Sequence, residues 1–227
     1  MPHPLDNPIW NALNTGSAMF SSGNENCKFL NSEMGFFVGL PSYDGESLEY
    51  LHSICKLGQR IILFPPGRIT VSKCWKVLND HELLQMVCTS DPEPKVLDGP
   101  LTQLAEKDVP AMLELIELTK PGPFLSRTID FGGYVGLFHE GKLISMAGKR
   151  LSPDPYVEVS AVCTHPDFVG KGLSNKVMRR VIAEIKQAEK IPFLHVYPEN
   201  TPAIKLYTKL GFEPRASLRT YFLEKIG

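Results

Sequence analysis

Apolar residues recur in two rhythms along this chain. Leu173, Val177, Val181 and Ile185 stand four residues apart, joined by Met178 and Ile182, whereas Lys176, Arg179, Arg180, Glu184 and Lys186 fall elsewhere. This spacing predicts an amphipathic helix from Leu173 to about Lys190, with one face against a sheet and its charges in solvent. Just before it, the β-branched run Val159-Ser-Ala-Val-Cys-Thr164 reads as a strand, ending in His165-Pro166 and leading through Gly170 and Gly172. Pro192-Phe-Leu-His-Val-Tyr197 reads as a buried strand. A last helix follows, with Thr201 as N-cap, Pro202 as its first residue and Gly211 as its stop.

Upstream, Leu101–Leu104 is predicted as a strand, and Asp108–Leu118 as a helix with Asp108 near its N-cap and Pro110 in its first turn. The proline-rich Lys120–Phe124 is a rigid loop. Tyr134–Phe138 and Lys142–Ala147 alternate as strands around the turn His139-Glu-Gly-Lys142. Nearer the start, Pro8–Leu13 and Leu48–Cys55 read as helices. Gln59–Phe64, Cys74–Leu78 and Leu83–Cys88 read as strands, with Asn79–Glu82 as a hairpin turn between the last two. The connector Thr89-Ser-Asp-Pro-Glu-Pro-Lys95 suits neither a helix nor a central strand. It predicts two parts, an α/β region over 1–93 and a second α/β unit over 94–227.

Composition narrows the field. With 43% hydrophobic and 22% charged residues and a formal net charge of -1, the 227-residue chain has an ordinary globular composition with no electrostatic footprint for nucleic acid. Five cysteines, without a Cys-x-x-Cys pair, and six scattered histidines predict neither a disulfide framework nor a metal site. Neither a leader-like segment nor an apolar run of spanning length is evident, so the expectation is a cytoplasmic protein with no membrane partner.

The turn at Gly170 and Gly172 is the first feature with chemical content. Backbone N–H groups at the mouth of a helix form a donor site for phosphate oxygens, and glycine lets a ligand approach without a Cβ in the way. The same glycines also suit a turn that binds nothing. A dinucleotide fingerprint would place a third glycine where Asn175 stands, and no Gly-x-x-x-x-Gly-Lys-Ser/Thr run occurs in the chain.

A second motif resolves the ambiguity. Asn200, Ala203, Leu206, Tyr207, Gly211 and Phe212, taken with Pro166, Gly170 and Gly172, resemble the GCN5-related N-acetyltransferase (GNAT) superfamily, and within it the FR47-like branch, over residues 96–227. Two positions depart from the usual pattern: Val169 replaces an Arg or Gln, and Ser174 a small Gly or Ala. The resemblance implies a mixed, mostly antiparallel sheet splayed between two central parallel strands and flanked by helices, here with an N-terminal α/β extension. That extension would be a degenerate copy of the same unit or a lid over the acceptor.

It also implies acetyl-coenzyme A as cosubstrate, no metal, and a small-molecule amine or amino acid as acceptor. The sequence leaves the oligomeric state open, a homodimer being one assembly. Pantetheine would pair with the backbone of Val162, Cys163 and Thr164. Pyrophosphate would meet the amides of Val169, Gly170, Lys171, Gly172, Leu173, Ser174 and Asn175, with Lys171 the remaining cation once the Arg is lost. Asn200 would bond the pantetheine amide or cap the last helix. Tyr207 matches the family's hydrogen-bond donor to the coenzyme sulfur, and Glu158 the family's glutamate base; a surface ion pair is the plain alternative for Glu158, and core packing for Tyr207. Some group or water must take the amine proton, because an alkyl amine of pKa about 10 is only ~0.1% neutral at pH 7. His195 is either a second base or a satisfied core histidine. Cys163 has no recognisable histidine partner for nucleophilic catalysis. A catalytically silent acyl-coenzyme A binding module is the rival reading, with Val169 in its favour.

Overall fold

The computed structural model describes residues 3–90 and 100–227. The expected boundary at 93/94 and most of its connector lie outside these residues. In chain order the elements are α1 (Pro8–Asn14), β1 (Ser21–Gly23), β2 (Lys28–Leu30), β3 (Val38–Gly39), α2 (Gly45–Ile54), β4 (Arg60–Leu63) and β5 (Trp75–Cys88). There follow β6 (Thr102–Gln103), α3 (Val109–Thr119), β7 (Val135–His139), β8 (Lys142–Lys149), β9 (Tyr156–Thr164), α4 (Leu173–Gln187), β10 (Ile191–Val196), α5 (Thr201–Lys209) and β11 (Phe212–Lys225).

Eight strands form one mixed sheet in the order β4-β11-β5-β10-β9-β8-β7-β6, and β1-β2-β3 form a small separate sheet. Within the large sheet β9 and β10 pair in parallel, and every other pair is antiparallel. The parallel pair needs a long crossover, which α4 supplies. Its buried face of Val177, Met178, Val181, Ile182 and Ile185 packs on Val135, Ile144, Ala147 and Leu194 of the sheet. From the opposite face, Met112, Leu115 and Ile116 of α3 meet Leu143, Met146 and Cys163.

Strand β5 comes from the N-terminal part of the chain yet lies between β10 and β11. It pairs with β11 from Trp75 to Cys88 and with β10 from Leu84 to Val87. The two parts expected from composition therefore contribute strands to one continuous sheet. The predicted hairpin at Asn79–Glu82 is corrected: these residues continue β5, with Asp80 opposite Tyr221 and Glu82 opposite Arg219. Asp80, His81 and Glu82 are exposed, and the Arg219–Asp80 ion pair bridges the two strands there. Two further local expectations are revised and one is refined. Asn200 caps α5 in place of Thr201, its Oδ1 accepting from the Ala203 amide at 3.3 Å. Asp108 is the N-cap residue of α3 as expected, although its Oδ2 accepts from the Ala105 amide and so organises a 3-10 turn ahead of the helix. Arg179 of α4 is buried at 8% exposure, with its Nε donating to Asn175 Oδ1 at 2.7 Å.

Candidate active site

The parallel pairing of β9 with β10 covers three register positions, from Ile191 opposite Tyr156 to Phe193 opposite Glu158. Beyond them the strands part. Val159 to Thr164 stays with β8, while Leu194 to Val196 stays with β5. A bulge in β9 sharpens the divergence: Ser160 to Cys163 faces only Gly148 to Met146, and Ala161 adopts φ +51°. The gap is a cavity of about 410 Å³, lined by Val159–Thr164 on one side and by Leu194–Tyr197 with Asn200 and Tyr207 on the other. The loop Lys120–Pro123 lines it too, as do Phe37, Ile62, Phe64 and Leu83 from the N-terminal part.

Past Thr164 the chain turns through Gly170 (φ +82°) and Gly172 (φ +74°), the latter being the N-cap of α4. Positive φ favours glycine at both, and a Cβ added to either would meet open space, so a guest can approach the backbone here. The first amide of this helix bonded to the turn is Lys176, to Gly172 O at 3.3 Å, which leaves the amides of Leu173, Ser174 and Asn175 without an intrahelical acceptor. Val169 is exposed, and the Lys171 ammonium lies 4.4 Å from the Phe168 ring centroid. Hydroxyls tie the strand end to the helix: Thr164 Oγ1 is 2.8 Å from both Ser174 Oγ and Ser145 Oγ. Ser174 thus fixes the helix mouth to β9.

Tyr207 is 9% exposed on the cavity wall, its ring against Phe212, and no described residue bonds its hydroxyl. Burial pushes this phenol up to about 12. Burial likewise pushes the Cys163 thiol up to about 12, far from the thiolate a nucleophile requires.

Glu158 is fully buried and is absent from the cavity wall. Arg150 donates to it twice, Nε to Oε2 at 2.8 Å and Nη2 to Oε1 at 2.6 Å, and His195 Nδ1 lies 2.7 Å from Oε1. Burial pushes the carboxyl up, but the Arg150 charge and hydrogen bonds, with His195, outweigh it and hold Glu158 at about 2. Glu158 is therefore an interior residue, and the surface ion pair considered from the sequence is replaced by a buried one. A carboxylate so acidic and so enclosed does not suit the base role that the resemblance implies. His195, in turn, donates from Nδ1 to Glu158 and accepts at Nε2 from the Gln85 amide at 3.1 Å. Gln85 is oriented for this by donating to Leu5 O and accepting from Arg215. Arg150, Gln85 and Arg215 carried no motif in the sequence and went unrecognised there. The only local hint was the apolar surroundings of Gln85 in its strand.

Comparison with known proteins settles the family. The model of the FR47-like protein family matches residues 134–223, from the start of β7 almost to the end of β11. A GNAT-family protein from Novosphingobium aromaticivorans, solved by crystallography, is 33% identical with a TM-score of 0.92, each chain covered in full. The chain belongs to the GNAT family.

The GNAT fold extends to more distant structures. A GCN5-related N-acetyltransferase from Kribbella flavida superposes with a TM-score of 0.60 at 16% identity, with 96% of each chain covered. Among curated sequences, the UPF0157 protein YqkA of Bacillus subtilis is 30% identical over 86 residues, a match that spans 38% of this chain but about a quarter (24%) of that relative. Membership of the GNAT family accounts for the mixed sheet and its splay. Among the described residues no helix is long and apolar enough to cross a membrane.

Proposed function

We propose that this GNAT protein is an acyl-coenzyme A–dependent N-acyltransferase that moves an acetyl group directly onto a primary amine of a small molecule. One observation carries the reading: the β9–β10 gap is a cavity that has Tyr207 on its wall and the open glycine turn of α4 beyond its strand end. The Val162, Cys163 and Thr164 backbone is assigned to the pantetheine arm, and the amides from Val169 to Asn175, aided by Lys171, to the pyrophosphate. Lacking a side-chain donor at Val169, the phosphate site relies on main-chain groups and the helix terminus. Asn200 Oδ1 caps α5, which leaves its amide nitrogen as the pantetheine donor.

The thioester supplies the acyl group. Tyr207 donates a hydrogen bond to the departing sulfur without surrendering its proton, since passing a proton from a phenol near 12 to a thiolate near 8.5 would be uphill by about 5 kcal/mol. In place of the base role, Glu158 receives a positioning role: it holds Arg150 and His195 against the cavity. Water then accepts the amine proton. Thiol release from acetyl-coenzyme A, measured against pooled amines with mass detection of the acylated product, tests the proposal. Amine-dependent release is expected. Tight coenzyme binding with no transfer to any amine would instead make the protein an acyl-coenzyme A binding module.

A further inference from the structure

We infer that the acceptor is an amine that also carries a carboxylate, anchored by the unengaged edge of the Arg150 guanidinium. This rests on the transferase reading above and specifies its substrate class. Charge on the cavity wall is one-sided: Lys120 and Arg150 line it, and no Asp or Glu does so among the described residues. A polyamine or a lysine-like acceptor would bring a second positive charge with no acid to receive it. A zwitterionic amino acid enters with no net charge, and once its ammonium is deprotonated its carboxylate faces two cations.

The geometry of Arg150 gives that carboxylate a place. Its guanidinium has five N–H donors in a planar fork, and Glu158 engages the Nε and Nη2 positions. No described residue bonds Nη1. Because Glu158 is sealed and Arg150 keeps 17% of its side chain exposed while lining the cavity, the second edge of the fork is the one a ligand can reach. Glu158 fixes the plane of the fork in advance, which suits Arg150 to a planar oxyanion. One side of the surroundings is apolar: the guanidinium carbon lies 4.9 Å from the Phe37 ring centroid, and Phe64, Ile62 and Leu83 continue that part of the wall. Amino acids with apolar side chains match this combination of one fixed cation and an adjacent apolar stretch of wall.

Matched pairs test the inference on the full-length protein. Leucine is compared with isoamylamine, and phenylalanine with phenethylamine, as acceptors for acetyl-coenzyme A. A site built to bond the carboxylate should favour the amino acid by about 100-fold or more in kcat/KM. Equal or better use of the decarboxylated amines would overturn this inference while leaving the transferase reading intact. Coenzyme binding without transfer to either class would overturn both. The variant Arg150→Lys keeps a cation beside Glu158 but loses the fork, and its amino acid to amine preference should fall by about tenfold. A preference that persists in the variant would remove Arg150 from acceptor recognition, since general destabilisation lowers both rates and leaves their ratio alone. If the variant does not fold, the wild-type comparison still decides.

Discussion

Tyr207 and Glu158 are both enclosed, and their enclosure has opposite consequences. Burial leaves Tyr207 a neutral donor whose proton is held more tightly than in water. Substituting Tyr207→Phe removes the donor and keeps the ring packing on Phe212. Turnover should fall by about 10- to 100-fold while the dissociation constant for acetyl-coenzyme A changes by less than about threefold. Single-turnover rates beside equilibrium titration check this split, and an unchanged turnover would take Tyr207 out of the chemistry. For Glu158 the signature is in stability. Its carboxyl is near 4.5 when unfolded and about 2 when folded, so its stabilising contribution is present above pH 4.5 and drains away as pH falls from 4.5 towards 2. The depression corresponds to about 3 kcal/mol. Glu158→Gln leaves the half-buried Arg150 without its counter-ion and should lose about 3 kcal/mol in urea melts at pH 7, with a smaller difference from wild type at pH 3.

The turn between β9 and α4 carries most of the proposed phosphate site in one junction, and a Cβ placed on either of its two glycines would find no neighbour within 4 Å. At Gly172, φ +74°, an alanine costs about 1–2 kcal/mol of backbone strain and adds a methyl group at the mouth of the helix. Gly172→Ala should therefore raise the KM for acetyl-coenzyme A by about tenfold or more, a change that thermal denaturation of the free protein would not report. This junction was readable in the sequence because strand, turn and helix are consecutive and each has a local signature. The α4 stripe and the hairpin of β7 and β8 were legible for the same reason. What escaped was non-local. The polar run Asn79–Glu82 has the composition of a turn, but it is held extended because β11 pairs with it along its length. The Arg150–Glu158–His195–Gln85 cluster joins four strands or strand ends that no spacing links, and Asn200 took over a cap that Thr201 fits equally well by residue type.

Across the whole molecule, β5 links what composition divides. It belongs by sequence to residues 1–93, yet it has β10 on one side and β11 on the other, and its Met86 and Cys88 lie in the same apolar cluster as α4 and α5. Without it, β10 and β11 would each expose a row of unpaired N–H and C=O groups, and the floor beneath Tyr207 and Leu210 would lose its packing. Residues 100–227 expressed alone should thus fail to give a soluble, cooperatively folded protein, although they hold all the residues assigned to coenzyme binding. The intact chain offers a sharper measurement. Both tryptophans, Trp10 and Trp75, lie N-terminal to the expected boundary, whereas the helices α3, α4 and α5 lie beyond it. Fluorescence therefore reports one part, and far-ultraviolet circular dichroism is weighted to the other. A shared sheet makes their urea midpoints coincide within error, as for one cooperative unit. Two independent domains would separate them, with tryptophan emission shifting while helical signal persists, and that outcome would mean β5 can leave the sheet without unfolding the acetyltransferase core.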